Sequence, residues 1–243
     1  MPDLPLLLLL VFGVAVAYAS VGHGGASGYL AVMALLGAAP ESMKPTALVL
    51  NLLVSSLGTY RYLRAGCFKF SSFWPFALGA VPLAFLGGAS VAPPDVFRKL
   101  LGGVLVVAAL SLLIRRIEEE EETVEVVIPI AIFLGAAIGF LSGLIGVGGG
   151  IFLSPLLILC GWATTKETLG ISSLFILLNS AAGLLGNVAS LGKLPNDTPY
   201  LAVAALCGAL LGAALGAKKL APASLRIVLS AILLLAAVKL LLT

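Results

Sequence analysis

The sequence is poor in charge and in the residue types that metal sites and disulfide frameworks need. Charged residues make up 10% of the 243 positions, whereas a soluble domain carries roughly 25%. Histidine occurs once, as His23, and three cysteines (Cys67, Cys160 and Cys207) lack metal-ligand spacing. These shortages exclude an ordinary soluble domain. They also predict no metal, no cofactor, no catalytic residues and no nucleic-acid surface.

Acidic residues are missing from the interior of every apolar segment. All eleven lie in loops, at segment ends or in the glutamate run at 118–122. Transporters driven by cations or protons usually carry a carboxylate within the membrane, and metal transporters carry clusters of carboxylate, histidine or cysteine. The absence of such groups favours an anion as the bound species.

Long apolar blocks take the place of the missing charge. Apolar residues make up 60% of the chain, and blocks such as 126–145 and 224–242 are about 20 residues long. They predict an all-α, polytopic membrane protein with a single domain over 1–243, located in the cell inner membrane with the lipid bilayer as a partner. Residues 1–20 are expected to be a membrane segment and not a cleaved signal, because no positive residue precedes their apolar run.

The sequence contains an internal repeat of two similar units. Residues 22–26 match 146–150 at an offset of 124, and Pro94 and Arg98 match Pro222 and Arg226 at an offset of 128. The predicted repeats are 1–117 and 124–243, joined by an acidic linker at 118–123. Each holds five helical segments, here lettered A to E. Their ranges are 4–21 and 126–145 (A), 26–39 and 151–161 (B), 46–60 and 168–191 (C), 70–91 and 200–217 (D), and 95–114 and 223–242 (E).

Segment B is too short to cross a bilayer comfortably. Its 11 to 14 residues span about 16–21 Å, against a hydrocarbon core of about 30 Å. Segments A and B are therefore expected to form a glycine-broken pair. If both cross, the repeats are inverted, and nine lysines and arginines lie on one side against five on the other. Parallel repeats give seven against seven, so the positive-inside rule favours inversion.

The two glycine clusters are the predicted substrate site. Glycines allow positive φ and bring backbone N–H groups toward one point, and each cluster precedes the N-terminus of a segment B, where a helix favours anions. The alternative is that the glycines only allow close helix packing. Hydroxyl and amide groups of segments B and C are candidate lining residues or interhelical hydrogen bonds. The predicted substrate-binding residues are Gly22, His23, Gly24, Gly25, Ser27, Asn51, Gly146, Gly148, Gly149, Gly150, Ser172, Ser173 and Asn179.

The sequence leaves two roles open for the histidine and for the lysines of this region. His23 is either a ligand contact or proton acceptor, or a hydrogen-bonded structural group. Lys44 and Lys166 are expected in corresponding loops, either solvated at the interface or drawing anions toward the site.

The sequence resembles the TauE/SafE family of sulfite exporters, also called the 4-toluene sulfonate uptake permease family. The resemblance covers nearly the whole chain and rests on GLIGVGGGIFLSP at 143–155 and ASVGHGGASG at 19–28. The second run has Ala26 where a fuller glycine run would stand. The resemblance implies transport of sulfite, sulfate, thiosulfate or organosulfonates, and brings no catalytic residues with it.

These observations together predict a secondary transporter that moves a small sulfur-containing oxyanion by alternating access of two units. Two alternatives stay open: a passive anion channel and an intramembrane enzyme. The expected partners are the anion and the bilayer, with a homodimer as a further alternative.

Overall fold

A computed structural model describes residues 4–20, 22–114, 123–217 and 223–242. Over these ranges the chain forms ten α-helices and one 3-10 turn, and no strand, which confirms the all-α prediction. The acidic linker predicted at 118–123 lies outside the described residues except for Thr123. The helices are α1 (Leu4–Ser20), α2 (Ala26–Leu35), α3 (Pro40–Arg64), α4 (Phe70–Ala89), α5 (Pro94–Ile114), α6 (Ile128–Ile145), α7 (Gly150–Leu159), α8 (Thr165–Gly186), α9 (Thr198–Ala217) and α10 (Ala223–Leu242).

The loops predicted between segments B and C, at 40–45 and 162–167, are helical from Pro40 and from Thr165 onward. α3 begins at Pro40, six residues before the predicted start of segment C, because proline at the first helical position lacks only an N–H that would have no helical partner. α8 begins at Thr165, behind a capping box in which Thr164 and Glu167 exchange hydrogen bonds of 2.8 and 3.2 Å. α8 also ends earlier than predicted, at Gly186, and the 3-10 turn Val188–Lys193 follows.

Four helices in the described part are long and apolar enough to cross a membrane: Phe70–Ala89, Ile128–Ile145, Thr165–Gly186 and Thr198–Leu215. α2 and α7 have only 10 residues each, about 15 Å of helix. Every residue of α2 from Ala26 to Ala34 is buried. α2 therefore lies in the protein interior, whereas α7 buries five of its ten residues and ends at Leu159, which is 82% exposed.

Small residues at four-residue spacing bring helices of the two halves into backbone contact. On α6, Gly135, Gly139 and Gly143 lie against α4 residues Phe76, Ala80 and Ala84 in that order. Contacts of this kind replace the hydrophobic effect as the source of helix association inside a bilayer. Because the residue numbers rise together, α4 and α6 run parallel.

The same arrangement recurs between α1 and α9. Gly208 and Gly212 lie against Phe12 and Val16, so α1 and α9 also run parallel. The first helix of each half thus packs on the fourth helix of the other half.

Matching helices of the two halves pack on each other in opposite directions. Gly58 of α3 lies against Ser173 of α8, and Leu48 of α3 lies against Gly183. On α5 and α10, Gly102 lies against Leu241, and Ser230 Oγ donates a 3.3 Å hydrogen bond to the carbonyl oxygen of Ala109. In both pairs one residue number rises while the other falls, so the helices are antiparallel.

Candidate functional site

Both glycine clusters interrupt the helical backbone in the interior. α6 ends at Ile145, and the φ of 92° at the following Gly146 lets its N–H donate back to the Ser142 carbonyl at 2.8 Å. Gly149 then takes a φ of 85° as the residue before α7. Gly25 does the same before α2, with a φ of 96°. Non-glycine residues rarely adopt these angles, which is why the chain breaks at these positions.

The Asn51 side chain lies where the two breaks meet. Its Oδ1 accepts a 3.3 Å hydrogen bond from the Ala26 N–H, and its Nδ2 donates to Ser180 Oγ at 2.9 Å and to the Val147 carbonyl at 3.4 Å. The residue is fully buried. Asn51 therefore joins α3 and α8 to both glycine breaks. Its Oδ1 accepts from the Ala26 N–H at the start of α2, one of the N–H groups that the sequence predicts to bind an anion.

His23 links the first glycine cluster to the second half of the chain. Its Nε2 lies 3.0 Å from Ser154 Oγ on α7, and Ser154 Oγ lies 2.7 Å from Ser172 Oγ on α8. The His23 ring also meets the Tyr18 ring edge-on, with 6.4 Å between centroids. Ser154 was not among the predicted site residues. It lies four residues after Gly150, and this helical spacing was the available signal.

A cavity of about 280 Å³ leads from the first glycine cluster to the end of α3. Its inner end is formed by Gly22, His23 and Ser173, whose Oγ donates a 3.0 Å hydrogen bond to the Gly22 carbonyl. Its outer end is formed by half-buried Arg61 and Tyr62 and by exposed Ala65. The remaining wall combines the hydroxyls of Ser20 and Ser55 with Ala19, Val54, Leu57, Gly58, Leu169, Ala209 and Ala213.

Arg61 is the one charged residue among those that line this cavity. Within the described part of the chain, the recorded ion pair joins Arg98 to Asp95, so Arg61 has no carboxylate partner there. Arg61 was not among the predicted site residues. Ser55, Gly58 and Tyr62 follow Asn51 at helical intervals of four, seven and eleven residues, which places them on one face of α3, and Arg61 borders that face.

The other predicted site residues lie outside the cavity wall. Gly24 and Gly148 flank the Asn51 side chain, and Gly150 packs on Ile176. Gly25 lies against the Tyr29 ring, and Gly149 lies against Ser142 and Phe175. Ser27 Oγ is paired with Tyr18 Oη at 2.6 Å. Asn179 is 1% exposed, and neither polar atom of its side chain has a hydrogen-bond partner in the described structure.

The expectation that Lys44 and Lys166 share a loop environment is wrong for Lys44. Lys166 is exposed in the first turn of α8, whereas Lys44 is only 9% exposed inside α3. Lys44 Nζ donates to the carbonyl oxygens of Gly87, Gly88 and Ser90 at 3.3, 2.8 and 3.3 Å. The Lys44 side chain thus reaches from the start of α3 to the end of α4. The region where the start of α3, the ends of α4 and α6, and the second half of α8 meet around Lys44 is termed the sealed end.

A bundle of apolar helices with two glycine breaks at its centre and a cavity leading to one of them defines a multi-pass membrane transporter. Comparison with known proteins agrees. The chain is 39% identical over 241 residues to the probable membrane transporter protein y4hK of Sinorhizobium fredii, covering 97% of each chain. It is 27% identical over 222 residues to the probable membrane transporter protein YdhB of Bacillus subtilis, covering 88% of this chain and 89% of that one.

The family model for the sulfite exporter TauE/SafE family matches residues 7–240. The chain therefore belongs to the sulfite exporter TauE/SafE family, as the two glycine motifs indicated. No solved structure matches the chain.

Proposed function

We propose that this transporter is a secondary carrier that moves a small sulfur-containing oxyanion across the cytoplasmic membrane by alternating access. The observation that carries the proposal is the chemistry of the cavity wall. It offers the Arg61 guanidinium and the His23 ring, and no carboxylate. The hydroxyls of Ser20, Ser55 and Ser173 also line it, and in this conformation they donate to backbone carbonyls. A cationic donor without an acid suits an anion and disfavours a metal or a cation.

The inner end of the cavity is the proposed substrate position. Gly22 and His23 lie beside Ser173 there, so a bound oxyanion would meet groups from both halves of the chain at once. Motion of one half against the other would then change the site that holds the anion. A second inference concerns pH, because a protonated His23 adds positive charge. Tyr18 and Ser154 contact His23, and Arg61 and Tyr62 line the same cavity.

The helix directions support the predicted inversion of the two repeats. A two-fold axis along the membrane normal would leave matching helices parallel, whereas an axis in the membrane plane makes them antiparallel. Both α3 with α8 and α5 with α10 are antiparallel. An inverted pair of repeats is also the arrangement that lets one conformation become the other by exchanging the roles of the two halves.

The cavity is proposed to face the cytoplasm in this conformation. Its outer end carries Arg61, with Arg64 one turn further along α3. This is the side on which the inverted arrangement places nine of the fourteen lysines and arginines. The opposite side is closed at the sealed end.

The contact between Ser154 and His23 is the observation that favours an intramembrane enzyme, since nucleophile and base lie within hydrogen-bond distance. Such a pair also needs a group that orients the base, usually a carboxylate. Within the described part, no aspartate or glutamate is buried. We therefore assign the pair to joining the two halves, and an ester-hydrolysis assay of the purified protein would detect the alternative.

Uptake into proteoliposomes tests the proposal. We expect saturable uptake of at least one of sulfite, sulfate, thiosulfate or an organosulfonate, competed by the others and not by a carboxylate of similar size. The transported anion should also raise the melting temperature, since a ligand at a hundred times its Kd stabilises the protein by about 2.7 kcal/mol. Non-saturable flux would favour a channel. A stabilising effect of cations without anions would exclude the proposed site.

A further inference from the structure

We infer that Lys44 is the residue that holds the sealed end closed while the cavity at the other end is open. The inference rests on the proposed alternating-access function and adds the residue that controls it. Opening the sealed end requires the start of α3 to leave the end of α4, and Lys44 is the side chain that joins the two.

The Lys44 ammonium is fully matched by its surroundings. It has three donors, and three carbonyl oxygens of the α4 C-terminus accept from it, at Gly87, Gly88 and Ser90. Carbonyls at the end of a helix lack helical partners and carry the negative end of the helix dipole, so a lysine there is favourable. Because Lys44 belongs to α3 and its acceptors to α4, these bonds break when the two helices separate.

Close backbone packing surrounds the lysine. Gly87 lies against Phe140 of α6, and Gly88 lies against Gly183 of α8. Gly146 lies against Lys44 itself, and a methyl group added there would come within 3.2 Å of the lysine Cγ and carbonyl oxygen. The sealed end is thus closed by glycine contacts and stabilised by the hydrogen bonds of one charged side chain.

In the described part of the chain, the residue that corresponds to Lys44 at the other end is Leu169. Gly22 matches Gly146 in the repeat, and Gly22 lies against Leu169. Leucine cannot hold helix carbonyls, and Leu169 lines the open cavity instead. The two ends of the same repeated structure therefore differ in the residue that faces the glycine, and the end with the lysine is the closed one.

Polar groups buried at the sealed end indicate that it also opens. The offset of 125 that pairs Lys44 with Leu169 pairs Val54 with Asn179 and Tyr62 with Asn187. Val54 and Tyr62 line the cavity. At the sealed end, both polar atoms of the Asn179 side chain and Nδ2 of Asn187 are buried without a hydrogen-bond partner in the described structure. Such groups are costly when dry and are satisfied when water or an anion reaches them.

Cysteine accessibility tests the inference in the full chain reconstituted in lipid. Cys67, Cys160 and Cys207 are free and at least partly exposed, so they are first replaced by serine. One reporter cysteine is then placed in the cavity by Leu57→Cys, and another at the sealed end by Ala182→Cys, the position that matches Leu57 at the offset of 125 and is 5% exposed. Both are reacted with a small charged thiosulfonate. The reporter at position 182 should react slowly in the Lys44 background.

Lys44→Met, which keeps most of the length of the side chain and removes the ammonium, should raise the rate at position 182 by about tenfold or more, since the bonds to the α4 carbonyls are lost and the open conformation becomes more populated. The rate at position 57 should fall or stay the same. Lys44→Arg should restore slow labelling. Lys69→Met is the matched control and should leave both rates unchanged. Lys69 lies away from the sealed end, and its Nζ donates a 3.0 Å hydrogen bond to Thr123 Oγ1.

An unchanged rate at position 182 in folded Lys44→Met protein overturns the inference, as does an equal increase in Lys69→Met. If the methionine variant does not fold, Lys44→Gln provides the same comparison with a polar, uncharged side chain. These rates are measured without any anion. Failure of the proposed function would appear separately, as a lack of protection of the position 57 reporter by every anion tried.

Discussion

Three glycine-to-alanine substitutions separate the two reasons why this chain needs glycine at particular positions. Gly37 has a φ of 75° but has nothing within 4 Å of an added methyl group. Gly24 lacks a positive φ, yet a methyl group there would overlap Asn51 Oδ1. Gly148 combines both conditions, with a φ of 79° and a methyl position that overlaps Asn51 Nδ2 and lies 2.9 Å from Ser180 Oγ.

The expected losses of stability follow from these contacts. A left-handed backbone costs a non-glycine residue roughly 1–2 kcal/mol, which is the whole effect at Gly37. Asn51 is fully buried and bonded to both breaks, so moving it aside leaves polar atoms unsatisfied at about 1–3 kcal/mol. That is the effect expected at Gly24. Gly148→Ala should cost the sum, roughly 2–5 kcal/mol.

Melting temperatures of the purified full-length variants in one detergent provide the measurement. The loss should increase from Gly37→Ala to Gly24→Ala to Gly148→Ala. Combining Gly148→Ala with Asn51→Ala should cost less than the two single losses added, because the second change removes the obstacle to the first. A Gly148→Ala protein as stable as Gly37→Ala would refute the reasoning, since the Asn51 contact would then carry no energy. Strict additivity of the double variant would do the same.

Four further outcomes are expected in proteoliposomes. Valine at Gly148 or Gly149 should abolish uptake in protein that still inserts, and normal uptake would remove the site from the clusters. Affinity for the anion should rise as pH falls between about pH 8 and 5.5, because His23 gains charge, and His23→Ala should flatten that profile; a flat wild-type profile contradicts the role. Arg61→Gln should weaken the apparent affinity by roughly ten- to a hundredfold, as expected for a lost charged contact. Arg64→Gln should leave the affinity unchanged, because the Arg64 guanidinium lies over the Tyr60 ring, 4.7 Å from its centroid. Ser154→Ala should lower the melting temperature and shift the pH profile, because His23 loses its recorded partner on α7; an unshifted profile would leave Ser154 a purely structural role.

Helix existence was predictable because a bilayer leaves the backbone few choices. Each apolar block became a helix, and each glycine cluster became a break, since lipid-exposed backbone must satisfy its hydrogen bonds within the segment. The start of α3 was misjudged for a local reason. Polar residues with proline, as at 40–45, have the composition of a loop, but proline at a first turn is also a good way to begin a helix.

The partners of individual side chains were not predictable from one sequence. Asn51 and Ser180 are 129 positions apart, and His23 and Ser154 are 131 apart. No local pattern records such distances, because they depend on how the halves interlock. Lys44 shows the limit most clearly. Its sequence neighbours are those of an interfacial lysine, and only the fold brings it within hydrogen-bond distance of the α4 carbonyls.

The balance between Lys44 and the buried asparagines bears directly on alternation. A carrier needs two conformations within a few kcal/mol of each other, or one of them is never populated. Two repeats with identical side chains would meet this condition by symmetry, but the ends of this chain differ. Closing the sealed end makes three bonds to the Lys44 ammonium, worth about 1.5–3 kcal/mol each. It also buries three unpartnered polar atoms of Asn179 and Asn187, at a cost of about 1–3 kcal/mol each. The two contributions have opposite sign and similar size, so they offset each other to within a few kcal/mol. The buried asparagines therefore oppose the effect of the lysine. Replacing Asn179 by leucine should favour the conformation in which the sealed end is closed, whereas removing the Lys44 charge should favour the one in which it is open.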